Sequence, residues 1–182
     1  MFHSTGLLVT ALTLALALAV QAEVKDSSPS GFTIENSRVV PVDAAAAFKA
    51  LVEDVDRWWP KDQSWWGKDS RLSIEPRAGG CFCEIAGAQQ ALHMLVTFVD
   101  PGRTLRLVGG LGPLQGMGLH GALEFRFTPI EGEGTTILMT YRAGGYTPDD
   151  LSKFAPEVDK VQAMQLGGLA DFLGGSKPAT QQ

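Results

Sequence analysis

The sequence is poor in cysteine and lacks any cluster of positive charge. Two cysteines in 182 residues exclude a small scaffold held together by several disulfide bonds, so a hydrophobic core must stabilise the fold. Fifteen basic and twenty acidic residues give a net charge of −5, which argues against binding to a nucleic-acid backbone. The chain has no G-x-S-x-G, no phosphate-binding glycine loop and no H-E-x-x-H, so none of these catalytic motifs indicates an enzyme.

One long apolar run is present, close to the N-terminus. Residues 7–20 are almost all apolar and are followed by Gln21 and Ala22, a pattern that predicts a signal peptide over residues 1–22. The run is shorter than the roughly 20 residues of a membrane-spanning helix, so we expect no stable membrane span after processing. An uncleaved anchor or a buried first helix is the alternative. The pattern predicts a secreted or periplasmic protein.

The remaining sequence predicts a single α+β domain at residues 32–174. Residues 23–31 are polar and predict a disordered leader, and residues 175–182 predict a flexible tail. A first strand is followed by a helix with Asp43 as its N-cap. A final helix from Ala155, with one buried face, ends before paired glycines.

Between these two helices the sequence alternates between apolar and polar residues and contains frequent turn signals. These patterns predict six further strands, at residues 71–75, 81–86, 91–99, 105–108, 120–128 and 135–142. The short connections favour antiparallel neighbours. We therefore expect a curved antiparallel sheet of about six to seven strands wrapped on the long C-terminal helix, with a cavity between them.

Four short motifs along residues 32–173 carry a resemblance to a known superfamily. They are Val39-Val40-Pro41-Val42-Asp43-Ala44 with Ala47-Phe48, Trp58-Trp59-Pro60, Ile74-Glu75-Pro76-Arg77-Ala78-Gly79-Gly80 and Phe98-Val99-Asp100-Pro101-Gly102-Arg103-Thr104-Leu105. With the order of elements, they resemble the START-like (SRPBCC) superfamily. Within it, the chain is similar to the bacterial branch described as polyketide cyclase-like or as activators of a chaperone ATPase.

The resemblance implies a helix-grip fold with a deep pocket for lipids, hormones, polyketides or other apolar molecules. Some members of the superfamily catalyse cyclisation or dehydration, and many only bind and carry. We expect a binding protein for a small apolar molecule, with no cofactor and no nucleic-acid partner. A cyclase- or isomerase-type enzyme using the same pocket, or a protein-interaction module, is the alternative. The oligomeric state stays open.

Several residues are candidates to contact a ligand because they combine apolar surface with a polar group or lie beside the predicted cavity. They are Trp58, Trp59, Trp66, Cys81, Cys83, His93, Met117, His120, Tyr141, Gln165 and Gly168. The tryptophans can form a pocket rim or simply pack in the core. The segment at residues 111–118, which is rich in Gly, Pro and Met and contains Met117, can be a lid over the cavity or a plain loop. His120 can be a general base if it faces the pocket.

Cys81 and Cys83 lie two residues apart on one face of a predicted strand. Two strand steps place their Cα atoms about 6.6 Å apart, near the upper limit that a disulfide spans. We therefore interpret both as buried, reduced cysteines that act as small hydrophobes. A disulfide across a local bulge, or a zinc or copper site completed by His93, is the alternative.

Overall fold

The structure, a computed structural model, describes residues 23–174. The predicted signal peptide and C-terminal tail lie outside these residues. The strands are β1 (Glu23–Ser28), β2 (Gly31–Val40), β3 (Arg71–Ile74), β4 (Cys81–Ala86), β5 (Gln89–Asp100), β6 (Thr104–Gly109), β7 (His120–Ile130) and β8 (Gly134–Gly144). The α-helices are α1 (Ala44–Glu53), α2 (Val55–Trp58), α3 (Pro113–Gly116) and α4 (Ala155–Phe172), and three short 3₁₀-helices lie at Lys61–Gln63, Gly67–Asp69 and Leu151–Lys153.

All strands of the described region belong to one antiparallel sheet in the order β1-β2-β8-β7-β6-β5-β4-β3. The α+β class and the C-terminal helix agree with the prediction. The count of eight strands exceeds the expected six to seven. The additional strand is β1, where we had expected a disordered leader.

Strand β1 forms although most of its side chains are polar and those of residues 25–28 are exposed. It pairs antiparallel with β2 through a turn at Pro29-Ser30, and Lys25 makes an ion pair with Glu35 across the two strands at 3.6 Å. An edge strand needs a partner for its backbone groups more than it needs apolar side chains. Composition alone therefore misled the prediction at residues 23–31.

One face of the sheet is buried, and α1, α2 and α4 pack against the sheet. Buried residues alternate with more exposed ones along β2 and β8, as expected for a sheet that packs on one side. Helix α1 begins where the Asp43 carboxylate accepts a hydrogen bond from the Ala46 N–H at 2.7 Å. The predicted N-cap is thus confirmed, and α1 lies over β7, β8 and β3.

Helix α4 packs mainly across β2, through contacts that are partly polar. The Asn36 amide donates to Asp159 at 3.0 Å, and the Arg38 guanidinium donates to the Ala163 carbonyl at 3.3 Å. Burial lowers the pKa of Arg38, an effect that Asp171 opposes, and burial raises the pKa of Asp159. These bonds fix α4 on one side of the sheet and leave its other flank facing the middle strands.

The two cysteines form a disulfide bond, so the interpretation of reduced, inert thiols is wrong. Their Cα atoms are 5.4 Å apart, closer than the roughly 6.6 Å of a regular strand. The ladder between β4 and β5 is irregular at this point, with a register shift between Phe82 and Cys83. An irregular strand brings the two residues within the range that a disulfide spans.

Residues 23–174 contain no helix whose length and apolar character would let it cross a membrane.

Candidate functional site

A cavity of about 400 Å³ lies between α4, the inner face of the sheet and two loops. This size is typical of small-molecule sites. Most of the wall is apolar, with a few polar groups. The lining residues are Trp59, Asp62, Gln63, Ser64, Trp65, His93, Leu111, Gly112, Pro113, Leu114, Met117, Tyr141, Phe154, Glu157, Val158, Val161, Gln162 and Gln165.

Five of the predicted ligand contacts lie on this wall: Trp59, His93, Met117, Tyr141 and Gln165. They come from five separate parts of the chain, namely the residue after α2, β5, the residue after α3, β8 and α4. The fold thus brings together, in one cavity, residues that the sequence analysis had identified as separate candidates.

Trp58 and Gly168 do not line the cavity, because they pack against each other. A Cβ atom at Gly168 would lie 2.4 Å from the Trp58 carbonyl oxygen. The Trp58 indole N–H donates to the Ala50 carbonyl at 3.0 Å. The glycine lets α4 approach α2 closely, so neither residue contributes to the cavity wall.

The remaining candidates also lie elsewhere. His120 is exposed at the start of β7, and Trp66 contributes its backbone N–H to a buried carboxylate but no wall to the cavity. Cys81 and Cys83 lie on the outer face of β4, opposite to the buried Phe82. The sheet separates them from His93, which excludes the metal site proposed for these three residues.

No group of three or more His, Cys, Asp or Glu side chains suited to a metal ion occurs in residues 23–174.

Two glutamines of α4 supply amide groups to the wall. Gln162 is 1% exposed and neither its Nε2 nor its Oε1 has a hydrogen-bond partner in the described part of the chain. Gln165, three residues later, faces the same cavity. A buried amide without partners costs free energy, so its presence points to a group that is bound at this position.

A buried carboxylate–imidazole pair forms another part of the site. The Glu84 Oε2 and His93 Nε2 atoms are 2.8 Å apart, and Glu84 is fully buried. The second oxygen of Glu84 accepts bonds from the Ser70 hydroxyl at 2.5 Å and the Trp66 N–H at 3.3 Å. Burial opposes ionisation of Glu84, but the bonds from Ser70, His93 and Trp66 prevail and hold its pKa below the usual value.

The position of His93 depends on a bulge in β5. Phe82 pairs with Met94 and Cys83 pairs with Leu92, so His93 is left without a cross-strand partner. As a consequence His93 and Met94 are both buried although they are adjacent. Such bulges often re-aim a side chain next to a functional site. Here the bulge turns His93 towards Glu84 and the cavity.

Tyr141 lies on the cavity wall next to the possible lid segment at residues 111–118. Its hydroxyl accepts a bond from the Leu111 N–H at 3.3 Å and donates to the Gly109 carbonyl at 3.4 Å. Burial raises the pKa of Tyr141, which therefore stays protonated. Since both bonds go to the backbone before α3, the main role of this hydroxyl is to anchor that segment.

The lid segment itself is more ordered than a plain loop. It contains α3, whose Leu114 is buried, and the Gln115 side chain bonds to the Leu92 carbonyl. Gly112 and Gly118 flank the helix with φ angles of 58° and 72°, a region that favours glycine. The segment thus covers the cavity, and the glycine on each side of α3 can adopt backbone angles that other residues disfavour.

The rim of the cavity is acidic. Asp62 and Glu157 are exposed at its edge, and no Lys or Arg among residues 23–174 lines it. An anionic molecule would meet two carboxylates and no cation. The charge pattern therefore favours a neutral occupant.

The ligand contacts predicted from the sequence did not include Gln162, Trp65 or Glu84. Gln162 precedes Gln165 by three residues and so shares its helix face, a signal that was available. Trp65 directly precedes the candidate Trp66 and lies on the wall with 49% exposure. The pairing of Glu84 with His93 could not be found, because it depends on the bulge.

No family model and no curated protein matches the chain. Solved structures do resemble it in fold. Protein MLL2253 from Mesorhizobium loti has 19% identity and a TM-score of 0.54, covering 78% of this chain and 96% of that protein. CalU16 from Micromonospora echinospora has 17% identity and a TM-score of 0.55, with 88% of each chain covered. A Rhodobacter sphaeroides protein has 14% identity and a TM-score of 0.56, covering 85% and 98%.

Proposed function

We propose that this protein is an exported binding protein of the START-like, helix-grip type, which holds one small, mainly apolar and uncharged molecule in the cavity. The observation that carries the proposal is the unpaired Gln162 amide, buried in an otherwise largely apolar wall. An apolar wall with a few placed polar groups is the usual composition of small-molecule sites. The volume suits a molecule of two or three fused rings or a short chain.

The acidic rim and the absence of lining cations from the described part of the chain support an uncharged ligand. The same features disfavour fatty-acid anions and phosphorylated molecules, which need a positive partner. Export is supported by the N-terminal apolar run alone. The START-like assignment is supported by the sequence motifs and by the fold similarity to the bacterial proteins described above.

The test is titration of residues 23–182 with the neutral fluorescent dye N-phenyl-1-naphthylamine. We expect saturable binding of one dye molecule per chain. Val161→Trp should abolish this binding by filling the cavity, since Val161 lines it. The matched control is Met164→Trp on the same helix, because Met164 is 41% exposed and lies off the wall. Equal binding by both variants would contradict the placement of the site.

A further inference from the structure

In the Glu84–His93 pair, the two imidazole nitrogens of His93 differ in their hydrogen bonding. Binding of an apolar molecule does not by itself require this arrangement. Both residues are buried, and His93 lies on the cavity wall. One imidazole nitrogen, Nε2, is engaged by the carboxylate. The other, Nδ1, has no hydrogen-bond partner among residues 23–174.

The surroundings of Glu84 determine which nitrogen of His93 carries the proton. The carboxylate has a lowered pKa and is ionised at neutral pH, so it can only accept hydrogen bonds. His93 must therefore donate to it through an Nε2–H. In the neutral ring the lone pair then lies on Nδ1, the nitrogen that remains available to a molecule in the cavity.

We propose that His93 is a general base that removes a proton from a molecule bound in the cavity, and that Glu84 is the residue that positions it. This inference rests on the proposed function, because the base needs an occupied cavity. The substrate class is a neutral, apolar carbon acid: a molecule with a C–H bond acidified by an adjacent carbonyl or similar group. The rim charge and the apolar wall select such a molecule over an anion.

In the proposed step, Nδ1 takes the proton and the C–H electron pair moves into the bond between that carbon and its neighbour. For a carbonyl compound, the carbonyl π electrons move onto oxygen, which gives an enolate. The His93 imidazolium keeps its Nε2–H beside the Glu84 carboxylate, which stabilises the positive charge. The Gln162 Nε2–H, which has no other partner in the described chain, can donate to the oxygen. Where the substrate has a C=C bond conjugated with this enolate, return of the proton to the far carbon of the resulting dienolate completes an isomerisation.

The test uses 5-nitrobenzisoxazole, a small neutral bicyclic molecule that reports on a base in an apolar site. The base removes the C3 proton, the C–H pair forms the nitrile, and the N–O bond breaks to give a coloured phenolate. Binding is followed separately by quenching of the Trp59 and Trp65 fluorescence, since both line the cavity. We expect saturable quenching together with saturable ring opening.

The informative variant is His93→Gln, which keeps a donor for Glu84 but removes the base. We expect its kcat to fall at least about 100-fold, within the usual contribution of general-base catalysis, with the dissociation constant unchanged. His120→Gln is the matched control, because His120 is exposed and lies off the wall, and it should retain the wild-type rate. A second variant, His93→Ala, should regain rate when imidazole is added.

Glu84→Gln tests the positioning role through the difference between kcat and binding. We expect kcat to fall at least about tenfold while the quenching titration stays unchanged, as loss of a group that orients the base predicts. An unchanged kcat in Glu84→Gln would refute that role. Wild-type kcat in His93→Gln, or saturable quenching without ring opening above the buffer rate, would overturn this inference alone. Absence of saturable quenching would overturn the proposed function and this inference with it.

Discussion

Replacing Gln162 by leucine should make the protein more stable and its binding less selective. Both amide atoms of this side chain are buried without partners in the described chain, and such a group costs about 1–3 kcal/mol. Leucine has a similar volume and a similar helix propensity to glutamine. We therefore expect the free energy of unfolding to rise by about 1–3 kcal/mol, and Tm to rise by about 2–4 °C per kcal/mol in a domain of this size.

The assay is urea unfolding of the refolded, ligand-free protein, followed by tryptophan fluorescence. The control is the same substitution at Gln90, an exposed residue of β5, where surface changes have effects within about 0.5 kcal/mol. Binding is compared for a carbonyl compound, 1-acetonaphthone, and its hydrocarbon analogue, 1-ethylnaphthalene. Gln162→Leu should weaken only the carbonyl compound, by about fivefold for one hydrogen bond.

A loss of stability in Gln162→Leu would refute the reasoning. It would mean that the amide has a partner in solution, so that the buried groups are satisfied before any ligand enters. Equal loss of affinity for the two naphthalenes would instead show that Gln162 only shapes the wall.

Two further predictions concern packing and acid stability. Gly168→Ala should destabilise the fold by about 1–3 kcal/mol, since its Cβ would lie 2.4 Å from the Trp58 carbonyl oxygen and a packed interior tolerates extra volume poorly. The control is Gly167→Ala, where a Cβ meets open space, and its free energy of unfolding should rise by up to about 1 kcal/mol from helix propensity. Thermal unfolding compares the two variants. Equal changes in their stability would contradict the contact between Gly168 and Trp58. Because Glu84 has a lower pKa in the folded protein, its stabilising effect is present above the unfolded pKa and is lost as pH falls through the folded pKa. The Tm difference between wild type and Glu84→Gln should therefore shrink from pH 7 to about pH 3, and a pH-independent difference would count against the ionised pair.

The sequence by itself predicted the features that depend on neighbours in the chain. The cap at Asp43 involves a residue three positions away, and the buried face of α4 repeats at helical spacing. Leu123, Phe125 and Phe127 are buried on one side of β7, as strand alternation requires. Such local rules determine where elements begin, which face they bury and, through their order, the α+β class.

Only the tertiary structure decided the features that depend on how distant segments meet. The pairing of β1 with β2, the bulge at His93 and the disulfide all follow from strand register, which short-range patterns specify weakly. Gly168 was a candidate ligand contact, but in the fold it serves a close contact between helices.

The candidate site shows the same division. Trp59, His93, Tyr141 and Gln165 were recognisable as residues that combine apolar surface with a polar group. Their common cavity, and the bond between His93 and Glu84, exist because one extra residue in β5 turns the imidazole inward. A shift of one residue reverses the face of a strand side chain, so only the folded sheet determines which polar groups meet.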